Sequence, residues 1–290
     1  MTPGHCVRAL ATACLATVLA SSPDASAQEI AEICDMEGEP CQTPNGTYRI
    51  EIPDRSDNSG PVPAVIFFHG AGGSGSGTLS NRGMTQTFLD RGYAVIAPDG
   101  MARPGRGAGW SFHPDFPPRR DERAFADEVM DDAAERFNLD RDAMLMSGFS
   151  IGGSLTWYLA CQDPDLARAY APVAGAFWRP HPEAEDCAGP VRLFHTHGWR
   201  DTTVPLEGRP LRNGEILQGD VFAGLEILRE VNGCDQLRAD EFSSSEDFWV
   251  RWWTRCDDGT DLRFALTPSA HGIPQGWSEL AIDWFEGLEP

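Results

Sequence analysis

The fold of this chain is decided by one stretch, Ala143-Met144-Leu145-Met146-Ser147-Gly148-Phe149-Ser150-Ile151-Gly152-Gly153. An apolar run typical of a buried strand leads into the pattern G-x-S-x-G, and the helix-like segment Leu155 to Cys161 follows. A strand, a sharp turn and a helix in this order expose the hydroxyl of Ser150 as a candidate nucleophile. Glycine on both sides lets neighbouring backbone approach closely. The alternative is an ordinary glycine-rich turn in which Ser150 is a helix N-cap.

Apolar runs and helical patterns alternate along the rest of the chain. Runs without polar interruption indicate strands that are buried on both faces, as in the centre of a parallel sheet. This alternation predicts a single α/β domain with a doubly wound, mostly parallel sheet and a ligand site at the carboxyl ends of its strands. The strand-like runs are 63–68, 93–97, 144–147, 169–174, 191–195, 248–253 and 262–266, and the helical patterns are 125–137, 225–231 and 278–285.

The first residues predict export. Arg8 is followed by the apolar run Ala9 to Ala20 and then by Ala25-Ser26-Ala27, which is the pattern of a signal peptide and its cleavage site. We therefore expect a signal peptide over residues 1–27, a single α/β domain over residues 28–290 and a secreted or periplasmic protein. The apolar run is too short to span a bilayer, so no membrane association is expected after cleavage. The alternative is an uncleaved anchor.

Export changes the expected state of the cysteines. Removal of the signal peptide leaves an even number, and in an oxidising compartment this predicts disulfides. Six cysteines allow many connectivities, of which closeness in sequence favours Cys34–Cys41, Cys161–Cys187 and Cys234–Cys256. A zinc site is not expected, because the chain has no C-x-x-C pair.

The charge of the chain excludes two classes of partner. The formal net charge is −21, and all 23 basic residues are arginine, since the sequence contains no lysine. So acidic a chain is repelled by nucleic acid and by anionic lipid. We therefore expect neither as a partner.

A serine nucleophile needs a base within hydrogen-bond reach, and the base needs an orienting carboxylate. On a sheet of this kind the three groups follow in the chain order Ser, Asp, His. Asp201 lies in the loop after the run 191–195, and His271 lies in a Gly- and Pro-flanked loop after the last strand-like run. Ser150, Asp201 and His271 are thus the predicted catalytic residues. The rivals are Asp220 for the acid and His69, His195 and His197 for the base.

An oxyanion hole needs two backbone N–H groups aimed at the developing negative charge. One is expected from Ile151, the residue after the nucleophile, and the other from the loop after an early strand. That loop is His69-Gly70-Ala71-Gly72-Gly73-Ser74-Gly75, and we predict Ala71 as its donor. The alternatives are a flexible glycine loop or a phosphate cradle, but a phosphate loop would need a following lysine.

Four aromatic residues are neighbours of these motifs in the sequence. We predict that they contact the substrate as a platform for an apolar or aromatic acyl group. They are Trp110, Phe149, Trp199 and Trp277.

Together these motifs resemble the secreted feruloyl-esterase and poly(3-hydroxybutyrate)-depolymerase-like family of α/β-hydrolases, over about residues 47–286. The similar stretches are 65–73, 92–100, 148–153, 197–205 and 232–234 with Cys256. The resemblance implies the α/β-hydrolase fold, the triad Ser150–Asp201–His271, oxyanion donors at Ala71 and Ile151, and no cofactor. It also implies that Cys234 pairs with Cys256.

Two departures from the family pattern bear on substrate preference. Ile151 stands where the family often has Asn, Gln or Met, and Ala270-His271-Gly272-Ile273-Pro274 stands where it often has Gly-His-x-Trp-Pro-Gly. The expected function is that of a secreted serine esterase, which forms an acyl-enzyme with a small-molecule or oligomeric hydroxyalkanoate, feruloyl or acetyl ester. The alternatives are a serine peptidase of the prolyl-oligopeptidase type and a non-catalytic binding protein with the hydrolase fold.

Overall fold

The structure is a computed structural model that describes residues 1–2, 39–54, 60–103, 105, 107–113 and 115–289. The predicted signal peptide beyond its first two residues, its cleavage site and Cys34 lie outside these ranges. No helix within the described ranges has both the length and the apolar composition needed to cross a bilayer.

Strands and short helices alternate as the apolar runs predict. The described strands are β1 Cys41–Thr43, β2 Gly46–Glu51, β3 Val62–Phe68, β4 Ala94–Pro98, β5 Met101–Arg103, β6 Gly107–Gly109, β7 Leu139–Phe149, β8 Ala169–Val173, β9 Trp178–Arg179, β10 Arg192–Gly198, β11 Pro210–Leu211, β12 Ile216–Gln218, β13 Glu241–Ser244, β14 Trp249–Trp253 and β15 Asp261–Thr267. The helices are α1 Gly75–Leu79, α2 Arg82–Asp90, α3 Glu122–Phe137, α4 Ile151–Gln162, α5 Val221–Val231 and α6 Trp277–Glu286.

Ten of these strands form one sheet in the order β1-β2-β4-β3-β7-β8-β10-β15-β14-β13. The six strands from β4 to β15 in this order are mutually parallel, and the outer strands on each side are antiparallel. The predicted doubly wound, mostly parallel sheet is confirmed. Because all six parallel strands end at the same edge, the loops that follow β3, β7, β10 and β15 converge there.

The sheet is covered on both faces, which explains why its central strands are apolar without alternation. On β7, Met144 and Met146 belong to the core under α3, α4 and α5, while Leu145 between them belongs to the core under α2 and α6. Successive strand residues point to opposite faces, so a strand between two cores must be apolar at every position.

The helices that cover the sheet begin at side-chain caps. Asp121 accepts a hydrogen bond from the Ala124 N–H (3.0 Å) and starts α3, which ends at Asn138 with a left-handed φ of 52°. Asp220 accepts hydrogen bonds from the N–H groups of Phe222 and Ala223 and starts α5. Such caps satisfy backbone donors that the helix itself leaves without partners.

Two predicted disulfides are confirmed. Cys161 in α4 is bonded to Cys187, and Cys234 after α5 is bonded to Cys256 after β14. Cys41 is disulfide-bonded as well, and its predicted pairing with Cys34 lies outside the described residues. Both described bonds tie a helix of one face to a loop at the amino-terminal edge of the sheet, away from the converging loops.

Removal of the Cys234–Cys256 bond, by the double substitution of both residues with Ala, should lower the free energy of unfolding by about 2–4 kcal/mol. The bond closes a loop of 22 residues, and a chain without it gains conformational freedom when it unfolds. Urea unfolding of the oxidised wild type and variant measures the difference. Equal stabilities would show that this bond does not constrain the unfolded chain.

Candidate active site

Ser150 occupies the sharp turn between β7 and α4, and its backbone is strained. Its φ of 59° and ψ of −120° lie in a region that residues with a side chain rarely adopt. Such a conformation costs about 1–3 kcal/mol and persists only where the surroundings enforce it. Here the Ser150 N–H donates to the carbonyl of Val173 on the neighbouring strand (3.0 Å), and the Ser150 carbonyl accepts from the Ser154 N–H (2.8 Å). The turn is thus held from both sides.

The glycines of the motif are required by backbone crowding. A Cβ on Gly152 would overlap the carbonyl oxygen of Phe68, and a Cβ on Gly148 would overlap the carbonyl oxygen of Gly152. The start of α4 therefore lies directly against the end of β3, from which the glycine-rich loop 69–75 departs. This contact brings the two predicted sources of oxyanion donors together.

Three predicted residues from three different loops form one continuous hydrogen-bonded row. The Oγ of Ser150 lies 3.0 Å from Nε2 of His271, and Nδ1 of His271 lies 2.7 Å from Oδ2 of Asp201. Because a carboxylate can only accept, His271 carries its proton on Nδ1, and its Nε2 accepts from the serine hydroxyl. This is the arrangement in which a neutral imidazole takes a proton from serine.

Asp201 is held in the charged form by its surroundings. Its side chain is inaccessible to solvent, and burial alone raises the pKa of a carboxyl group. The hydrogen bond from His271 and that from the Val204 N–H outweigh this effect, so the pKa of Asp201 lies below its ordinary value. Its Oδ1 accepts from the N–H groups of Thr203 and Val204, both at 2.8 Å.

The rival residues have other roles. Asp220 caps α5. His69 accepts from the Gly100 N–H at Nε2 (2.9 Å) and donates from Nδ1 to the Gly70 carbonyl (2.7 Å), so its ring holds the glycine-rich loop. Burial lowers the pKa of His69, which keeps it neutral. His195 and His197 are fully buried behind Asp201.

The predicted oxyanion donors flank the nucleophile. Ile151 is the first residue of α4, where an N–H has no partner inside the helix. The N–H of Ala71 donates to no backbone carbonyl of the described residues, whereas those of Gly72 and Gly73 donate to Ala108 and Gly70. Among the described residues, neither of these two N–H groups has a backbone hydrogen-bond partner.

Two of the four aromatic residues that were predicted to contact the substrate are buried. Trp110 is 6% exposed, and its Nε1–H donates to the His69 carbonyl (2.8 Å), so it supports the glycine-rich loop from behind. Trp277 is 1% exposed and packs edge-on against Phe67 and Phe88 in the core. Closeness in sequence to a motif does not determine which way a side chain points.

The other two predicted aromatic residues lie at the converging loops. The ring of Phe149 lies 4.7 Å from that of His271. Trp199 is 60% exposed on the loop that carries Asp201. Phe149 also lines a cavity of about 320 Å³ that opens beside the glycine-rich loop. The cavity is also lined by Asn81 at the N-cap of α2, by Met84 in α2 and by Ile273 in the loop after His271, which the sequence patterns did not identify as site residues.

The described ranges contain no group of three or more His, Cys, Asp or Glu side chains placed to hold a metal ion.

The family model of the alpha/beta hydrolase fold matches residues 63–213, just over half of the chain. The chain belongs to the α/β-hydrolase family. Among curated relatives of this α/β-hydrolase, feruloyl esterase D of Neurospora crassa is 24% identical over 216 residues, which cover 65% of this chain and 68% of the relative. Probable feruloyl esterase C of Aspergillus niger is 24% identical over 215 residues, which cover 70% and 68%.

A solved structure agrees with this assignment. Acetyl xylan esterase from Aspergillus awamori superposes with a TM-score of 0.61 at 16% identity, over 83% of this chain and 94% of that one. The prediction of an α/β-hydrolase and carboxylic ester hydrolase is confirmed at the level of family and enzyme class.

Gly152→Ala should disable the candidate nucleophile while Gly83→Ala does not. The added Cβ at 152 would overlap the Phe68 carbonyl and displace the turn, and a shift of about 1 Å at reacting groups costs roughly 100-fold in rate. At Gly83 the nearest atom is 4.0 Å away, on Asn81. The rate of fluorophosphonate labelling of Ser150 measures the effect. Equal rates in the two variants would contradict the claim that this crowding positions the serine.

Proposed function

We propose that this α/β-hydrolase is a secreted serine esterase, in which Ser150 is the nucleophile, His271 the base and Asp201 the orienting acid. The observation that carries the proposal is the unbroken row of hydrogen bonds from the Ser150 hydroxyl through His271 to the buried carboxylate of Asp201. A serine hydroxyl is a weak nucleophile at neutral pH and needs a base in this position.

In the first half of the reaction, Ser150 Oγ attacks the ester carbonyl carbon while His271 Nε2 takes the hydroxyl proton. Asp201 stabilises the imidazolium that forms and remains unprotonated. The negative charge on the former carbonyl oxygen is held by the N–H groups of Ala71 and Ile151. His271 then gives its proton to the leaving alcohol oxygen, the carbon–oxygen bond breaks, and an acyl-enzyme remains on Ser150.

In the second half, a water molecule replaces the alcohol. His271 takes a proton from the water as it attacks the acyl carbon, and the same two N–H groups hold the charge. Collapse of this intermediate returns the proton to Ser150 Oγ and releases the carboxylic acid. Both halves of the reaction pass protons through His271 Nε2, which already lies in hydrogen-bond contact with Ser150 Oγ.

The cavity beside the glycine-rich loop supports binding of an apolar or aromatic part of the ester. Phe149, Met84 and Ile273 contribute its apolar wall, and Asn81 and Ser74 contribute polar groups. Apolar walls with few polar groups are typical of small-molecule sites. The names of the two curated relatives favour a feruloyl ester over a hydroxyalkanoate. The disulfides agree with an exported protein.

Ser150→Ala should abolish both ester hydrolysis and fluorophosphonate labelling, because Ser150 Oγ is the hydroxyl that is hydrogen-bonded to His271 Nε2. Hydrolysis of p-nitrophenyl acetate and methyl ferulate, with mass spectrometry of the labelled wild type, measures both effects. Activity retained within about tenfold, or a label on another serine, would contradict the assignment of the nucleophile.

Asp201→Asn should lower kcat by up to about 10⁴-fold with a smaller change in KM, because an amide removes the charge and can offer a donor to the wrong ring nitrogen. Asp220→Asn is the matched control. Asparagine is as good an N-cap as aspartate, so this variant should keep wild-type activity. Steady-state kinetics of both variants compare the two carboxylates. If Asp220→Asn lost activity while Asp201→Asn remained active, Asp201 would not be the orienting acid.

A further inference from the structure

Two histidines lie side by side in the interior, directly behind Asp201. His195 and His197 are alternate residues of β10, so both point to the same face of the sheet, and neither has any accessible surface. The mechanism above uses neither ring. Burial of polar rings costs free energy unless they are hydrogen-bonded.

Every ring nitrogen of the pair has a polar neighbour. Nδ1 of His195 lies 3.0 Å from the Pro172 carbonyl and 3.3 Å from Nε1 of Trp157. Nε2 of His195 lies 2.9 Å from Nδ1 of His197. Nε2 of His197 lies 2.7 Å from the Val204 carbonyl and 3.5 Å from Oδ2 of Asp201.

These neighbours determine where the protons lie. Both neighbours of His197 Nε2 are oxygens that only accept, so this nitrogen carries a proton. Burial lowers the pKa of His197, so the ring is neutral and its Nδ1 accepts. His195 must then donate from Nε2, so its Nδ1 accepts from the Trp157 indole N–H (3.3 Å) and gives no proton to the Pro172 carbonyl, which lies 3.0 Å away. The hydrogen bonds therefore all run in one direction, from Trp157 through His195 and His197 to Val204.

The last residue of this row, Val204, is hydrogen-bonded to the carboxylate of Asp201, which faces His271. Val204 accepts from His197 with its carbonyl and donates to Oδ1 of Asp201 with its N–H (2.8 Å). His197 thus holds Val204 in place, and Val204 in turn holds the carboxylate of Asp201. Its own Nε2–H lies on the side of Oδ2, the oxygen that accepts from His271.

We propose that His197, oriented by His195, is a positioning residue for the reaction: its Nε2–H fixes the 201–204 loop and so directs Oδ2 of Asp201 at His271. This inference rests on the proposed function. It assigns no proton transfer to the pair, since both rings remain neutral. An apolar side chain at 197 could fill the same volume but would leave the Val204 carbonyl without its buried donor.

Two substitutions test the roles of the two His197 ring nitrogens separately. The amide of asparagine takes the place of Nδ1, and the amide of glutamine takes the place of Nε2. His197→Asn keeps a partner for His195 but loses the donor to Val204, while His197→Gln keeps that donor. Both replacements are polar, but asparagine is smaller than glutamine by one methylene, so the loss of packing at this buried position needs its own control.

The positioning role predicts that His197→Asn lowers kcat about 10- to 100-fold with KM nearly unchanged, by analogy with supporting contacts around metal ligands. His197→Gln should stay within about threefold of the wild type. The rate of fluorophosphonate labelling should follow kcat. Phe194→Leu, on the opposite face of β10, is the control for general loss of packing and should label at the wild-type rate. Equal effects of Asn and Gln would overturn the proposal.

The position of the proton on His197 can be measured directly in the wild type. Nitrogen-15 NMR of labelled histidine should show His197 as the neutral Nε2–H form from pH 6 to pH 8, and the Nδ1–H form would overturn the proposal. The far-downfield proton of His271 Nδ1–H should persist in His197→Gln and be lost or moved upfield in His197→Asn. If Ser150→Ala remained active, the proposed function itself would fail, and that result is distinct from an active His197→Asn.

Discussion

The site depends on one steric constraint, the close approach of the start of α4 to the ends of β3 and β7. Gly152 lies against the Phe68 carbonyl, and Gly148 lies against the Gly152 carbonyl, with no room for a Cβ at either position. This approach forces Ser150 into its strained backbone conformation and brings the Ile151 N–H beside the glycine-rich loop. The strain is maintained because the parallel strands on both sides are buried under helices on both faces of the sheet.

Asp201 is positioned in a different way, by hydrogen bonds rather than by steric crowding. A loop would leave Asp201 mobile, yet residues 201–204 are fixed by backbone donors to Oδ1 and by the buried ring of His197 on the Val204 carbonyl. Polar groups in a low-dielectric interior are costly when unpaired and rigid when fully paired. The proposed nucleophile is therefore positioned by crowding, and the carboxylate of Asp201 by a connected set of hydrogen bonds.

The parts of this arrangement that depend on short-range sequence patterns could be predicted from the sequence. Strands buried on both faces appear as uninterrupted apolar runs. The order Ser150, Asp201, His271 is the chain order of the loops that follow β7, β10 and β15. The direction of Trp110 and Trp277 depends on which core each ring enters, and adjacent motif residues carry no information about that. The role of His197 could not be predicted either, because it requires the 201–204 loop to fold back over its own strand.

The central claim is that Ser150 carries the acyl group during ester hydrolysis, and pre-steady-state kinetics with p-nitrophenyl acetate test it most directly. A burst of p-nitrophenol close to one equivalent of enzyme, with an acetyl group on the Ser150 peptide after acid quench and mass spectrometry, is expected under conditions where deacylation is the slower step. A burst without an acetylated Ser150 peptide, or acetylation of another residue at the rate of turnover, would contradict the claim.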